Sequence, residues 1–167
     1  MFETPALIAA TAALFPLMLT ASWFDLKFLK IPNWLVLCVF AVFLVTGLWG
    51  LPLEIFLWRL GYAIGFLAFG FAVFTLSSGN VGGGDLKLIA ALVPFILPEH
   101  AADVLLLLAI LAVIGLVVHR VIYVLKRDRM TGWVALDQKA YFPVGLLIGL
   151  TTCIYLGDLL LTRLSIN

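Results

Sequence analysis

The run Gly82-Gly83-Gly84-Asp85-Leu86-Lys87 sets three glycines, a carboxylate and an amine at the mouth of an apolar segment. A shorter echo, Asp25-Leu26-Lys27, closes the first apolar segment of the chain. A carboxylate beside lipid is expensive and is a functional candidate by default. Two that meet have a specific chemistry open to them. Carboxylates about 3 Å apart cannot both ionise, so one pKa rises and the pair shares a proton. One member then takes a proton from water while the other protonates a peptide carbonyl oxygen. That is aspartyl proteolysis, which uses neither metal nor cofactor. Asp25 and Asp85 are its candidate catalytic residues.

The flanking residues fit such a site. Gly82, Gly83 and Gly84 would let the backbone take positive φ and let an extended substrate approach closely, held by main-chain pairing. Lys87 is expected to tune the local potential or to reach a lipid phosphate. Ile31-Pro32-Asn33 reads as a turn that starts the next helix. Each acid also has a purely structural reading. Asp85 fits the N-terminus of a helix, and Asp25 fits an interfacial charge balanced by Lys27 and Lys30.

The elements that must position these groups follow from composition. Of 167 residues, 65% are hydrophobic and 11% charged, where soluble domains run at roughly 45–50% and 25%. The pattern predicts an all-α polytopic membrane protein, one domain over 1–167. Six apolar segments stand out, at about 5–24, 34–51, 54–76, 86–98, 103–125 and 142–161. The fourth is shortened or kinked by Pro94 and Pro98. Arg59, in the third, is expected to snorkel to the near interface. Lys27, Lys30, Lys87, Lys126, Arg127, Arg129 and Lys139 lie in or beside the connections 25–33, 77–85 and 126–141. The positive-inside rule makes those connections cytoplasmic and puts both termini outside. Both aspartates then sit at cytoplasmic helix ends.

Other features exclude more than they suggest. A formal net charge of +1 gives no sign of a nucleic-acid partner. The opening MFETP has no basic n-region, so no removable secretory peptide is expected. Cys38 and Cys153 read as packed thiols, and without a CxxC or His/Cys cluster no metal site is expected. In the loop 126–141, Trp133, Val134, Leu136, Tyr141 and Phe142 read as interfacial anchors of a connector. His100, His119 and Arg120 read as structural.

At the two aspartates the sequence resembles the type IV prepilin peptidases, membrane aspartyl proteases of the GxGD kind. Asp25 precedes Ile31-Pro32-Asn33, and Gly82-Gly83-Gly84-Asp85-Leu86-Lys87-Leu88 matches the GxGD-x-KL run. Phe142-Pro143-Val144-Gly145 is loosely similar to the family's late proline–glycine element. The likeness runs from Asp25 to about Gly149. It implies a multi-pass protein of a bacterial inner (cytoplasmic) membrane. Its substrate would be a pilin-like precursor with a short basic leader and an apolar helix, cut at the cytoplasmic face. Catalysis would fall to Asp25 and Asp85, with Gly82 and Gly84 shaping the site. Longer members carry paired CxxC motifs linked to methylation of the new N-terminus; loop 25–33 is short and lacks cysteine, so methyltransferase activity is not expected. The chain is most similar to the compact, peptidase-only members of Flp-type tight-adherence pilus systems. Asp128 and Asp137 are the inner-loop acids available to a basic leader. Two other readings compete: a small proton- or ion-coupled transporter, whose acids belong near mid-membrane, and a non-enzymatic pilus-assembly protein, in which both aspartates tolerate substitution.

Overall fold

The computed structural model describes residues 2–77, 82–126, 130–137 and 142–166. These residues form α1 (Thr4–Phe28), α2 (Asn33–Gly50), α3 (Leu53–Leu76), α4 (Gly83–Leu92), α5 (Ala101–Leu125), α6 (Val134–Asp137) and α7 (Val144–Ile166). No strand occurs among them. Five helices are long and apolar enough to cross a membrane: α1, α2, α3, α5 with its preceding turn, and α7. The chain is an all-α polytopic membrane protein.

The expected fourth span is the exception. α4 has ten residues, about 15 Å of helix, where a bilayer core needs about 30 Å. Two 3-10 turns, Val93–Phe95 and Pro98–His100, carry the chain on to α5. Pro94 and Pro98 cause the break, since each lacks an N–H and bars continuation of the helix before it. Six expected spans thus become five long helices and one broken passage.

Burial along α1 follows a single stripe. Leu7, Ala10, Leu14, Met18, Ala21 and Asp25 are three or four residues apart and all buried, which places them on one helix face. Asp25 is the polar end of this stripe, 5% exposed. Small residues bring the neighbouring helices close, as in membrane bundles generally. A Cβ at Gly149 of α7 would lie 2.5 Å from Ser22 Oγ, and one at Gly50 of α2 would collide with Ala6. The Leu146 N–H of α7 donates to Asp25 at the far end of α1. The Glu3 N–H at the near end donates to Gly50 O over 3.0 Å. α1 and α7 therefore run antiparallel, and their outer ends lie on the same side of the bundle.

The broken passage leaves irregular backbone deep in the structure, where every polar group needs a partner. Arg59 Nη1 donates to Pro94 O over 2.7 Å, and the Leu97 N–H donates to Tyr155 Oη over 3.0 Å. Arg59 is 4% exposed, with its guanidinium 5.2 Å from the Phe2 ring centre. It turns inward and does not snorkel as expected; the orphaned carbonyl of the proline break gives it a better partner than the interface would. Beside it Phe43 stacks on Phe56 at 5.3 Å. Phe95 meets Phe43 edge-on at 5.7 Å, and Phe2 stacks on Phe95 at 6.1 Å. This aromatic layer closes the outer end of α4.

On the opposite side the described part of loop 126–141 folds back onto the bundle. Asp137 accepts from Lys126 Nζ at 2.8 Å, from the Thr131 N–H at 2.9 Å and from the Gly132 N–H at 3.0 Å. Its carboxyl is held well below the usual range by Lys126 and by the Thr131 backbone. Asp137 is therefore engaged in closing its own loop, which leaves it a poor contact for a leader. Asp128, Lys139 and Tyr141 lie outside the described residues. Ala135 is fully buried and its carbonyl lies 2.7 Å from His119 Nε2, so this stretch packs on protein more than it spreads on lipid. Cys38 and Cys153 are free thiols.

Candidate active site

Three helix ends meet at one side of the bundle: the end of α1, the start of α4 and the start of α7. α1 stops at Leu29, whose left-handed backbone (φ 51°) lets its N–H return to Asp25 O over 2.8 Å. Four residues later α2 begins. This tight corner, Leu29–Pro32, forms one wall of a cavity of about 670 Å3 that Asp25, Lys30, Asn33, Gly82, Gly84 and Asp85 also line. The two aspartates, 60 positions apart in sequence, share it.

Ile31 explains why glycines stand where they do. Its side chain is buried and wedges between α4 and α7. A Cβ on Gly84 would come within 3.2 Å of Ile31 Cβ. One on Gly145 would come within 2.8 Å of Ile31 Cδ1 and 3.0 Å of Asp25 Oδ2. A Cβ on Gly82 would lie 2.5 Å from Asp85 Oδ2. The glycines allow close approach, but not through unusual backbone as expected. Gly82 has φ −62°, Gly83 and Gly84 open α4, and the positive-φ glycine among the described residues is Gly132.

Asp85 does lie in the first turn of α4, as its structural reading expects, but neither acid is held by the partners those readings name. No side-chain hydrogen bond caps α4, whose N-cap is Gly82, so Asp85 does not serve as the cap. The ion pair found among the described residues joins Lys126 to Asp137. Lys27 lies instead over the Trp23 ring at 4.8 Å. Asp25 takes its donor from backbone: the Leu146 N–H reaches Asp25 Oδ2 over 3.3 Å. This is the first turn of α7, where free N–H groups and the helix dipole favour negative charge. Asp85, half-buried at the mouth of the short α4, is pushed up to about 7 by burial and by the charge of Asp25. One carboxylate is braced by amides and the other is biased to hold a proton.

Lys87 bonds to a neighbouring helix. It is exposed, and its Nζ donates to Asn33 Oδ1 over 3.2 Å, tying α4 to the start of α2. Sequence reasoning missed three participants here: Ile31 as the wedge, Asn33 as the partner of Lys87, and Leu146 as the donor to Asp25. The signal for the last was Pro143 and Gly145 at the head of an apolar run, a helix start with room for a close neighbour. His119 and Tyr155 lie outside the cavity walls. No cluster of three or more His, Cys, Asp or Glu suited to a metal ion occurs among the described residues.

A family model described as the type IV leader peptidase family matches residues 12–119, a stretch that includes both aspartates and the Ile31-Pro32-Asn33 corner. No curated protein and no solved structure matches the chain.

Proposed function

The chain belongs to the type IV leader peptidase family, and from that premise we propose that it is an aspartyl endopeptidase that removes the leader from a pilin-like precursor. The observation that carries the reading is the shared cavity. Two carboxylates line it, close enough for the charge of Asp25 to act on Asp85.

The roles follow from the unequal surroundings. Asp25, facing the amides at the head of α7, is the better seat for the negative charge and acts as general base. Asp85 carries the shared proton and acts as general acid. Asp25 removes a proton from water, and the water oxygen bonds to the scissile carbonyl carbon. The proton of Asp85 passes to the carbonyl oxygen as its π bond breaks, giving a neutral gem-diol. Asp25 then hands its proton to the leaving nitrogen while Asp85 takes one back from the diol. The C–N bond breaks, and the carboxyl product and free amine leave with the pair reset.

The finer reading is a Flp-type precursor, cut at the cytoplasmic face of a bacterial inner membrane, with no methylation step. The short corner between α1 and α2 supports it, since it leaves no place for an inserted cysteine-bearing region. A transporter would need its acids at mid-depth, and these stand at helix ends.

Co-expression with a Flp-type precursor tests the proposal through its gel mobility. Wild-type enzyme should shorten the precursor by the leader. Asp25→Asn and Asp85→Asn should each leave it uncut, a loss of about 1,000-fold or more, at equal membrane levels of enzyme. Processing retained in both variants would sink the assignment and favour the assembly-protein reading.

A further inference from the structure

A second cavity, of about 430 Å3, opens between α3 and α5. Tyr62 and Phe66 from α3 face Val104, Leu105 and Leu108 from α5 across it. Its floor includes Ile89 and Leu92 of α4 and Ile148 and Thr151 of α7. No charged side chain lines it, and the most apolar stretch of α5 has no buried residue. It is a lateral groove with a dry lining.

Two features tie the groove to the aspartates. On α4, Asp85, Ile89 and Leu92 are spaced i, i+4, i+7 and share one face, so the acid heads the stripe that floors the groove. On α7, Ile148 follows by one turn the Gly145–Leu146 amides that face Asp25. From the reacting pair, the groove therefore begins about one helical turn outward, roughly 6 Å, along both supporting helices. The third feature is an unmet hydrogen-bonding group. Thr151 is 4% exposed, and its Oγ1 has no partner although threonines in helices commonly bond back one turn. Thr152 beside it does so, to Ile148 O over 2.8 Å.

On the peptidase reading above, we propose that this groove seats the apolar helix that follows the scissile bond of the precursor. With the leader held in the aspartate cavity by the α1–α2 corner, the chain beyond the cut runs outward along α4. Its apolar side chains fill the space between Tyr62, Phe66 and Leu105. Thr151 then meets a small polar side chain or a loosened backbone group of that helix. The site so read recognises both sides of the cut: polar chain on the inner side, a membrane-spanning helix on the outer.

The test uses full-length enzyme in proteoliposomes and two substrates. One is the whole precursor; the other is a soluble peptide that carries the cut site and stops before the apolar helix. Val104→Trp narrows the groove. Val113→Trp places the same bulk on the opposite, exposed side of α5. The expected result is a precursor-over-peptide ratio of kcat/KM lowered about tenfold by Val104→Trp, mainly through KM, and unmoved by Val113→Trp. An unchanged ratio for Val104→Trp overturns the groove and leaves the peptidase reading standing. A wild-type enzyme that cuts neither substrate overturns both. A photo-crosslinking residue at Leu105 in the Asp85→Asn enzyme gives an independent readout. Adducts with the apolar helix of the precursor support the proposal, whereas adducts only with lipid or with a second copy of the chain overturn it.

Discussion

Two buried polar regions interrupt this apolar bundle, and they are built on opposite principles. At the proline break, polar side chains are paired with the broken backbone. Arg59 answers Pro94 O, Tyr155 answers the Leu97 N–H, and phenylalanine rings close around them. At the inner helix ends, two carboxylates face an open cavity with little beyond the α7 amides to quiet them. The first region is polar because the backbone there is broken and must be satisfied. The second is polar without any such need. An unmet charge in a concave wall is costly to stability, so its presence points to chemistry. Burial of a charge alone does not make the distinction; Arg59 is as buried as Asp25.

Substitutions sharpen that contrast. Gly145→Val pushes bulk against Asp25 and Ile31 and should lower kcat/KM for precursor cleavage about 100-fold. Gly157→Val, with open space around it, should change little. A single-turnover assay on both variants checks this, and equal activity would mean the amide brace is dispensable. The pH dependence should come from Asp85. On the proposed mechanism activity needs its proton, so kcat/KM should fall as pH rises through about 7. Stability has the same sign. With the folded pKa raised, the folded state holds an extra proton between about pH 4 and 7 and loses stability as pH climbs through that window. Asp85→Asn should therefore raise the melting temperature at pH 8 and lose that advantage near pH 4. Melting curves at the two values decide it. The smallest effect on chemistry, and the reverse one on stability, belongs to Arg59→Met. It leaves Pro94 O unpaired and should cost about 1–3 kcal/mol, while the enzyme that remains folded cuts within about twofold of wild type. Denaturation in detergent, paired with activity per folded molecule, separates the two.

The sequence made some of this plain. Long apolar runs forced helices, and Asp25 and Asp85 stood out because a charge in such surroundings needs a reason. Pro94 and Pro98 marked the weak span, though not that Arg59 would turn inward to repair it. The faces of the helices were not readable from hydropathy, since lipid and core favour the same residues. What separates them is small-residue packing such as Ser22 against Gly149, and that shows only once the partner is in place. The working details of the site were hidden for a related reason. Leu146 is 121 positions from Asp25, and Lys87 is 54 from Asn33. No local pattern joins residues so far apart.

The shortness of α4 has a consequence for the cell that carries this protein. A cavity with ionisable groups cut into one side of a membrane thins the barrier there and invites protons to leak down their gradient. Here the thinned place is backed, at the outer end of α4, by the interlocked rings of Phe2, Phe43, Phe56 and Phe95. Water entering from the aspartate side would reach these rings before it could form a continuous file.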